Sequence, residues 1–237
     1  MTLLDFPGRV ACTVFLGGCD FRCPFCHNFE LIDGTEAPIM DDEELLAFLS
    51  KRKGLLDGVA ITGGEPCLHQ GLRELLPKIR ELGFAVKLDT NGYHPEFLRE
   101  LLAAGLVDYV AMDIKNSPAK YAMTCGMEAG GRDEAPADGE TDPDGLDLAP
   151  IRQSIATIME LAPDYEFRTT VVKPLHEEGD FPAIGELIRG AKQYFLQCFT
   201  DRDSVPFEGL APPSAEELKR YAEIMRIYTR EVSIRGI

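Results

Sequence analysis

Three cysteines fall within eight residues in the stretch FLGGCDFRCPFCHNFELID: Cys19, Cys23 and Cys26, spaced C-x3-C-x2-C. Thiolates grouped this closely bind a metal ion or an iron–sulfur cluster. The chain has seven cysteines, an odd number, and its start, MTLLDFPGRV, lacks the basic opening and cleavage pattern of a signal peptide, so a disulfide framework is not expected. A structural zinc site wants four ligands in a closed tetrahedron, usually from paired C-x2-C knuckles. No second knuckle follows here, and His27 is awkward as a fourth ligand, because it adjoins Cys26 and would have to fold back on the same ion. Three thiolates can instead hold a four-iron cluster and leave one iron open to a substrate or cofactor. A zinc-binding or electron-carrying module without catalysis is the alternative from another class.

The elements around this loop alternate. RVACTVFLGG, β-branched and aromatic and ending in glycines, predicts a strand over about residues 10 to 16. MDDEELLAFLSKRKG opens with acids, puts Leu45, Leu46, Phe48 and Leu49 on one face and stops at Gly54, which predicts a helix. Strand patterns recur in GVAITGG, AVKLDTNG, DYVAMDIK, YEFRTTVV and YFLQCF, with helix patterns between them in LPKIRELG, PEFLRELLAAG, LAPIRQSIATIMELA and FPAIGELIRG. Pro77 is expected in the first turn of its helix, where its missing N–H costs nothing. Ser214 and Glu217 form a capping box that opens a closing helix over about 214–232. Six strand-helix repeats imply a parallel sheet and are too few for an eight-stranded barrel, so the expected fold is α/β, an open partial (β/α)6 barrel forming one domain over 1–237. The cysteine loop, TGGEP, DTNG and MDIK then share the carboxyl rim of the strands, where such sheets do their chemistry.

C-x3-C-x2-C with an aromatic residue, Phe25, before the last cysteine resembles the signature of the radical S-adenosylmethionine (SAM) enzymes, and Gly63, Gly64, Glu65 and Pro66 match that family's glycine-glycine-glutamate-proline motif. Alone, GGEP is an ordinary tight turn; the paired motifs give it meaning. The resemblance implies a [4Fe–4S] cluster on the three cysteines and SAM chelated to the open iron by its amino and carboxylate groups. Gly63 and Gly64 would bring backbone close to the SAM amino group, since no side chain intervenes, and Glu65 would orient the motif. LDTNG and MDIK point more narrowly to the glycyl-radical-enzyme activases and offer Asp89, Asp113 and Lys115 as SAM contacts, against a capping aspartate and a solvated lysine. Arg168 could neutralise the SAM carboxylate, or be a surface arginine on an edge strand. His27 and Asn28 are expected to shape the loop and to tune the cluster through hydrogen bonds to sulfur. His176 is read as a solvated loop histidine, with contact to the nucleoside as the alternative; Cys12 and Cys198 are read as core residues, and Cys67 and Cys125 receive no role.

The implied reaction begins when an external donor, a flavodoxin or ferredoxin, reduces the cluster. SAM is then cleaved to methionine and a 5′-deoxyadenosyl radical, which takes a hydrogen atom from the substrate. LLDFPGRVACTVFLGGCDFRCPFCHN with KLDTNG is most similar to activating proteins of anaerobic ribonucleoside-triphosphate reductase, whose substrate is a backbone glycine of that enzyme. An activase of pyruvate formate-lyase or another glycyl radical enzyme is the nearest alternative. A small-molecule enzyme resembling the carboxydeazaguanine synthases is the next, although those typically stretch the cysteine spacing.

Composition narrows the partners. With 24 Lys and Arg against 40 Asp and Glu the net charge is −16, and no basic stripe offers a phosphate-tracking surface, so nucleic acid is not expected. No stretch approaches the length of a membrane span, and a cytoplasmic location is expected. Residues 125–147, CGMEAGGRDEAPADGETDPDGLD, carry eight acids and one arginine and read as an acidic, solvated insertion, with docking to a partner as the minor reading.

Overall fold

The computed structural model describes residues 2–32, 37–127 and 146–237. The acidic insertion falls largely on residues 128–145, outside the described residues.

Strands β1 (Ala11–Leu16), β2 (Gly58–Gly63), β3 (Ala85–Thr90), β4 (Tyr109–Asp113), β5 (Asp164–Val171), β6 (Gln193–Cys198) and β7 (Glu231–Arg235) form one sheet in chain order, every neighbouring pair parallel. The helices are α1 (Asp42–Ser50), α2 (Leu72–Glu81), α3 (Pro95–Ala103), α4 (Tyr121–Thr124), α5 (Ala149–Leu161), α6 (Phe181–Leu187) and α7 (Ala215–Met225). Parallel strands in chain order need a crossover between each pair, and the strand twist curls such a sheet toward a barrel. Among the described residues β1 and β7 do not pair with each other, so the barrel stays open. No described helix is long and apolar enough to cross a membrane.

Period-two alternation divides the side chains. On β1, Cys12, Val14 and Leu16 pack toward the main apolar core between sheet and helices, while Ala11, Thr13 and Phe15 take the concave face. That face is narrow at the amino ends of the strands: Phe6, Ala11, Tyr109 and Ala111 form a separate small cluster with Ala85 against it. Phe6, from the segment before β1, is 2% exposed and plugs that end. Toward the carboxyl ends the concave face turns polar, and the site opens there.

Two expectations need correction. The helix that begins at the Ser214–Glu217 capping box ends at Met225, and β7 occupies part of the span given to it. Val232 and Ile234 face the main core, while Arg235 turns inward and pairs with the buried Glu166 at 2.7 and 2.8 Å. Pro77 sits inside α2 rather than in its first turn. It leaves the Arg73 carbonyl without its usual donor, a loss of roughly 3 kcal/mol in an isolated helix, offset by burial of Leu72, Leu75, Leu76 and Ile79.

Candidate active site

The cysteine loop leaves β1 and is held by backbone hydrogen bonds from several directions. Gly18 and Cys19 donate to the carbonyls of Leu31 and Ile32 at 2.6 and 3.2 Å, and Arg22 donates to the carbonyl of Cys125 at 2.8 Å. Phe21 and Phe25 are buried beneath it. Cys19, Cys23 and Cys26 line one cavity at the carboxyl rim together with Phe25, His27, Gly63, Gly64, Asp89, Asp113, Lys115 and Arg168. Burial pushes the Cys19 thiol up to about 12 and raises Cys26. Cys23 is lowered instead, chiefly by a hydrogen bond with the neighbouring Cys125 thiol. Binding iron must therefore displace protons from Cys19 and Cys26.

Behind the loop stands a second layer. Glu65 is fully buried and accepts from Cys67 N at 2.9 Å, Thr90 Oγ1 at 2.8 Å and Asn91 N at 2.6 Å. Burial pushes its carboxyl above the usual range, and these three donors pull against that. Glu65 thereby joins the GGEP turn to the turn after β3. Pro66 is buried beside it, and neither of the two lines the cavity. Gly63 has φ +121°, and a Cβ there would lie 2.2 Å from the Leu16 oxygen; at Gly64 it would lie 1.9 Å from the Gly18 oxygen. The glycines are thus required by the close approach of β1 and its loop.

Charged residues line the same cavity. Arg168 bonds Asp113 at 2.5 Å and Asp89 at 3.2 Å, Lys87 pairs with Asp89, and Lys115 bonds Asp113 at 2.8 Å. Burial would raise Asp113, yet Arg168 and Lys115 hold it well below the usual carboxylate range. Burial would lower Lys115, yet Asp113 and Cys23 hold it well above. Lys115 also lies 6.0 Å from the centre of the Phe25 ring. The four lining charges balance, and Lys87, buried behind Asp89 and outside the lining, brings the group to net +1.

Comparison with known proteins decides the family. The sequence model of the radical SAM superfamily matches residues 13–134. A protein of Methanocaldococcus jannaschii named as a glycyl-radical enzyme activating enzyme is 30% identical over 249 residues, which cover 100% of this chain and 93% of that protein. The chain belongs to the radical SAM superfamily. A 7-carboxy-7-deazaguanine synthase of Thermococcus kodakarensis is 32% identical over 133 residues, covering 48% of this chain and 52% of the synthase. Among solved structures, Streptococcus suis SuiB bound to S-adenosylmethionine superimposes with a TM-score of 0.66 at 14% identity, covering 98% of this chain and 51% of SuiB, a likeness of fold.

Radical SAM enzymes use a [4Fe–4S] cluster and SAM, and the residues present fit that pair. Three thiols on one wall can each take an iron. Lys115, close to Cys23 and Phe25, and Arg168 place positive charge in the same cavity, which complements three thiolates and the carboxylate of SAM.

In this radical SAM site the structure shows what His27 and Asn28 hold, and it removes the solvated and edge-strand alternatives for Lys115 and Arg168. His27 Nε2–H donates to the Thr200 carbonyl at 2.7 Å and its ring stacks on Phe199, and Asn28 Nδ2 donates to the Gly63 carbonyl at 2.9 Å. Both brace the backbone around the loop, and among the described residues neither bonds a sulfur. Arg168 lies on β5, flanked by β4 and β6, and is neither an edge-strand nor a solvated residue. Lys115 is half-enclosed by its ion pair instead of solvated. His176 is buried, donating from Nε2 to the Lys115 carbonyl at 2.8 Å while Nδ1 accepts from Val172 N at 3.2 Å; it links the ends of β4 and β5. Cys12 is buried on β1 and Cys198 half-buried on β6. The sequence reading missed Asn91, whose amide reaches Cys19, and Cys125, which sits against Cys23. The T-N-G turn signal stood beside Asp89, but both contacts join segments far apart in the chain.

Proposed function

We propose that this radical SAM enzyme is a glycyl-radical-enzyme activase whose substrate is a backbone glycine of anaerobic ribonucleoside-triphosphate reductase, with a flavodoxin or ferredoxin supplying the electron. One observation carries the activase reading: similarity to the Methanocaldococcus jannaschii protein spans the whole chain. The compact C-x3-C-x2-C spacing and the DTNG and DIK sequences support an activase over a small-molecule enzyme, and the overall likeness of LLDFPGRVACTVFLGGCDFRCPFCHN with KLDTNG, rather than any one residue, supports the reductase as partner.

On this reading Cys19, Cys23 and Cys26 hold three irons and the fourth is left for SAM. When bound and reduced, cluster and SAM together supply reductive cleavage of SAM and the hydrogen-atom abstraction that a glycyl radical requires. The chain's own part is placement. Glu65 fixes the GGEP turn beside the cysteine loop, and the Asp89, Asp113, Lys115 and Arg168 set gives SAM a charged wall already locked by its internal ion pairs. Such preorganisation spares the site reorganisation when the ligand arrives.

The similarity to the deazaguanine synthase favours a second reading, a small-molecule substrate, but it covers about half of each chain. Anaerobic electron paramagnetic resonance on reduced, reconstituted protein with SAM and a ribonucleotide reductase from the same cell separates them, with 5′-deoxyadenosine assayed in the same tube. A glycyl-radical signal that requires both proteins supports the reductase as substrate. Deoxyadenosine without that signal points to another glycyl radical enzyme or to the small-molecule reading, and neither product from a protein with full iron removes the activase reading.

A further inference from the structure

The turn after β3 aims one neutral donor at a ligand sulfur. Asn91 is 6% exposed, and its Nδ2 lies 3.8 Å from Cys19 Sγ. The orientation of the amide is set from its other end: Oδ1 accepts from Tyr93 N at 2.8 Å, so the NH2 group is the one that faces sulfur. The backbone is pinned as well, since Asn91 N donates to the buried Glu65 at 2.6 Å. Gly92 follows at φ +79°, where any Cβ would strike the Met112 side chain. Shifting the amide away from Cys19 would therefore disturb the Glu65 hydrogen bonds and the turn together.

We propose that Asn91 sets the reduction potential of the cluster: its amide donates a hydrogen bond to the Cys19 thiolate and raises the potential at which the cluster accepts its electron. Reduction adds one electron to the cluster and breaks no bond. The added negative charge spreads onto the ligand sulfurs, so a donor at sulfur stabilises the reduced form more than the oxidised one. Asn91 lines the same cavity, and the effect proposed for it runs through Cys19, which makes it a positioning residue. The inference rests on the superfamily's cluster and not on which substrate is used, so it stands or falls separately from the activase reading.

The test is a potentiometric titration of the reconstituted full chain without SAM, followed by electron paramagnetic resonance, with iron and acid-labile sulfide measured on each sample. Asn91→Asp keeps the oxygen that accepts from Tyr93 but loses the donor and adds negative charge. Asn91→Ser keeps a short polar group that can close the same turn and stays neutral. Both variants should hold iron and sulfide at the wild-type level. At the wild-type midpoint the ratio of reduced to oxidised cluster should fall roughly tenfold for Asn91→Asp, which is about 59 mV for one electron, and by less, in the same direction, for Asn91→Ser. Wild-type midpoints in both variants at full iron content would overturn the proposal. Loss of the cluster from both would also overturn it, because Asn91 would then serve only to build the loop.

Discussion

A Cβ built at Gly64 lies 1.9 Å from the Gly18 oxygen and 3.3 Å from Cys19 Cβ, and nothing flexible stands in between to give way. From the sequence, Gly64→Val is expected to spare the cluster and weaken SAM alone. The geometry changes that expectation. The branched side chain must displace the loop that carries Cys19, an overpacking that costs at least 1–3 kcal/mol. Gly64→Val should therefore lower iron content after reconstitution to about half or less, with a reduced melting temperature. Full iron content with weakened SAM binding would show that the loop has room the structure does not give it. At this scale the cysteine spacing made the three ligands legible, because adjacent residues bound one object. Asn91 and Cys125 were not legible, since their partners lie roughly a third of the chain away or more and no local pattern marks the meeting.

Each of the six expected strands is present because β-branched runs bounded by glycine and turn residues leave little alternative at that length. The seventh was missed for a physical reason. EVSIR is five residues long, follows directly on a strongly helical segment, and gains its identity from pairing in parallel with β6 and from Arg235 meeting Glu166. The capping box at the start of α7 was legible because it is wholly local. Ser214 Oγ accepts from Glu217 N, and Glu217 accepts from Ser214 N at 2.8 Å. Glu217 also bonds Lys173, just after β5, at 2.7 Å. Its carboxyl is held down to about 2, first by Lys173 and then by Ser214, from an ordinary 4.5. A carboxyl depressed by folding adds stability above its unfolded value and loses it as pH falls through the folded one. In urea unfolding, wild type should exceed Glu217→Gln above pH 4.5, and the gap should close as pH falls toward about 2. A gap independent of pH would mean that the carboxylate charge plays no part in docking α7.

Across the whole molecule the two ends of the barrel divide the work. Phe6 closes the amino end against Tyr109, whose ring centre is 6.1 Å away, and a Cβ at Gly58 would touch the Phe6 ring at 2.9 Å. The cysteines, the glycine turn and the charged wall occupy the carboxyl end. Stability and chemistry should separate accordingly. Phe6→Ala is expected to cost about 3–5 kcal/mol in urea unfolding while the folded fraction keeps wild-type iron content and SAM binding. Loss of iron in step with loss of stability would show that the two ends are coupled. The open barrel and its rim followed from strand-helix alternation, whereas the plug did not, because LDFPGRV carries no periodicity and Phe6 finds its partners only when the strands converge.

Radical chemistry at this rim requires that three cysteines hold a four-iron cluster and keep its remaining iron for SAM. The most direct measurement is electron paramagnetic resonance of the reduced, reconstituted chain before and after SAM labelled with nitrogen-15 at its amino group, with electron-nuclear double resonance on the same samples. Addition of SAM should change the cluster signal and give a nitrogen-15 coupling from the label, both absent in Cys23→Ala, which should hold no cluster. A fully loaded cluster whose signal is unaltered by saturating SAM, with no coupling, would contradict that arrangement.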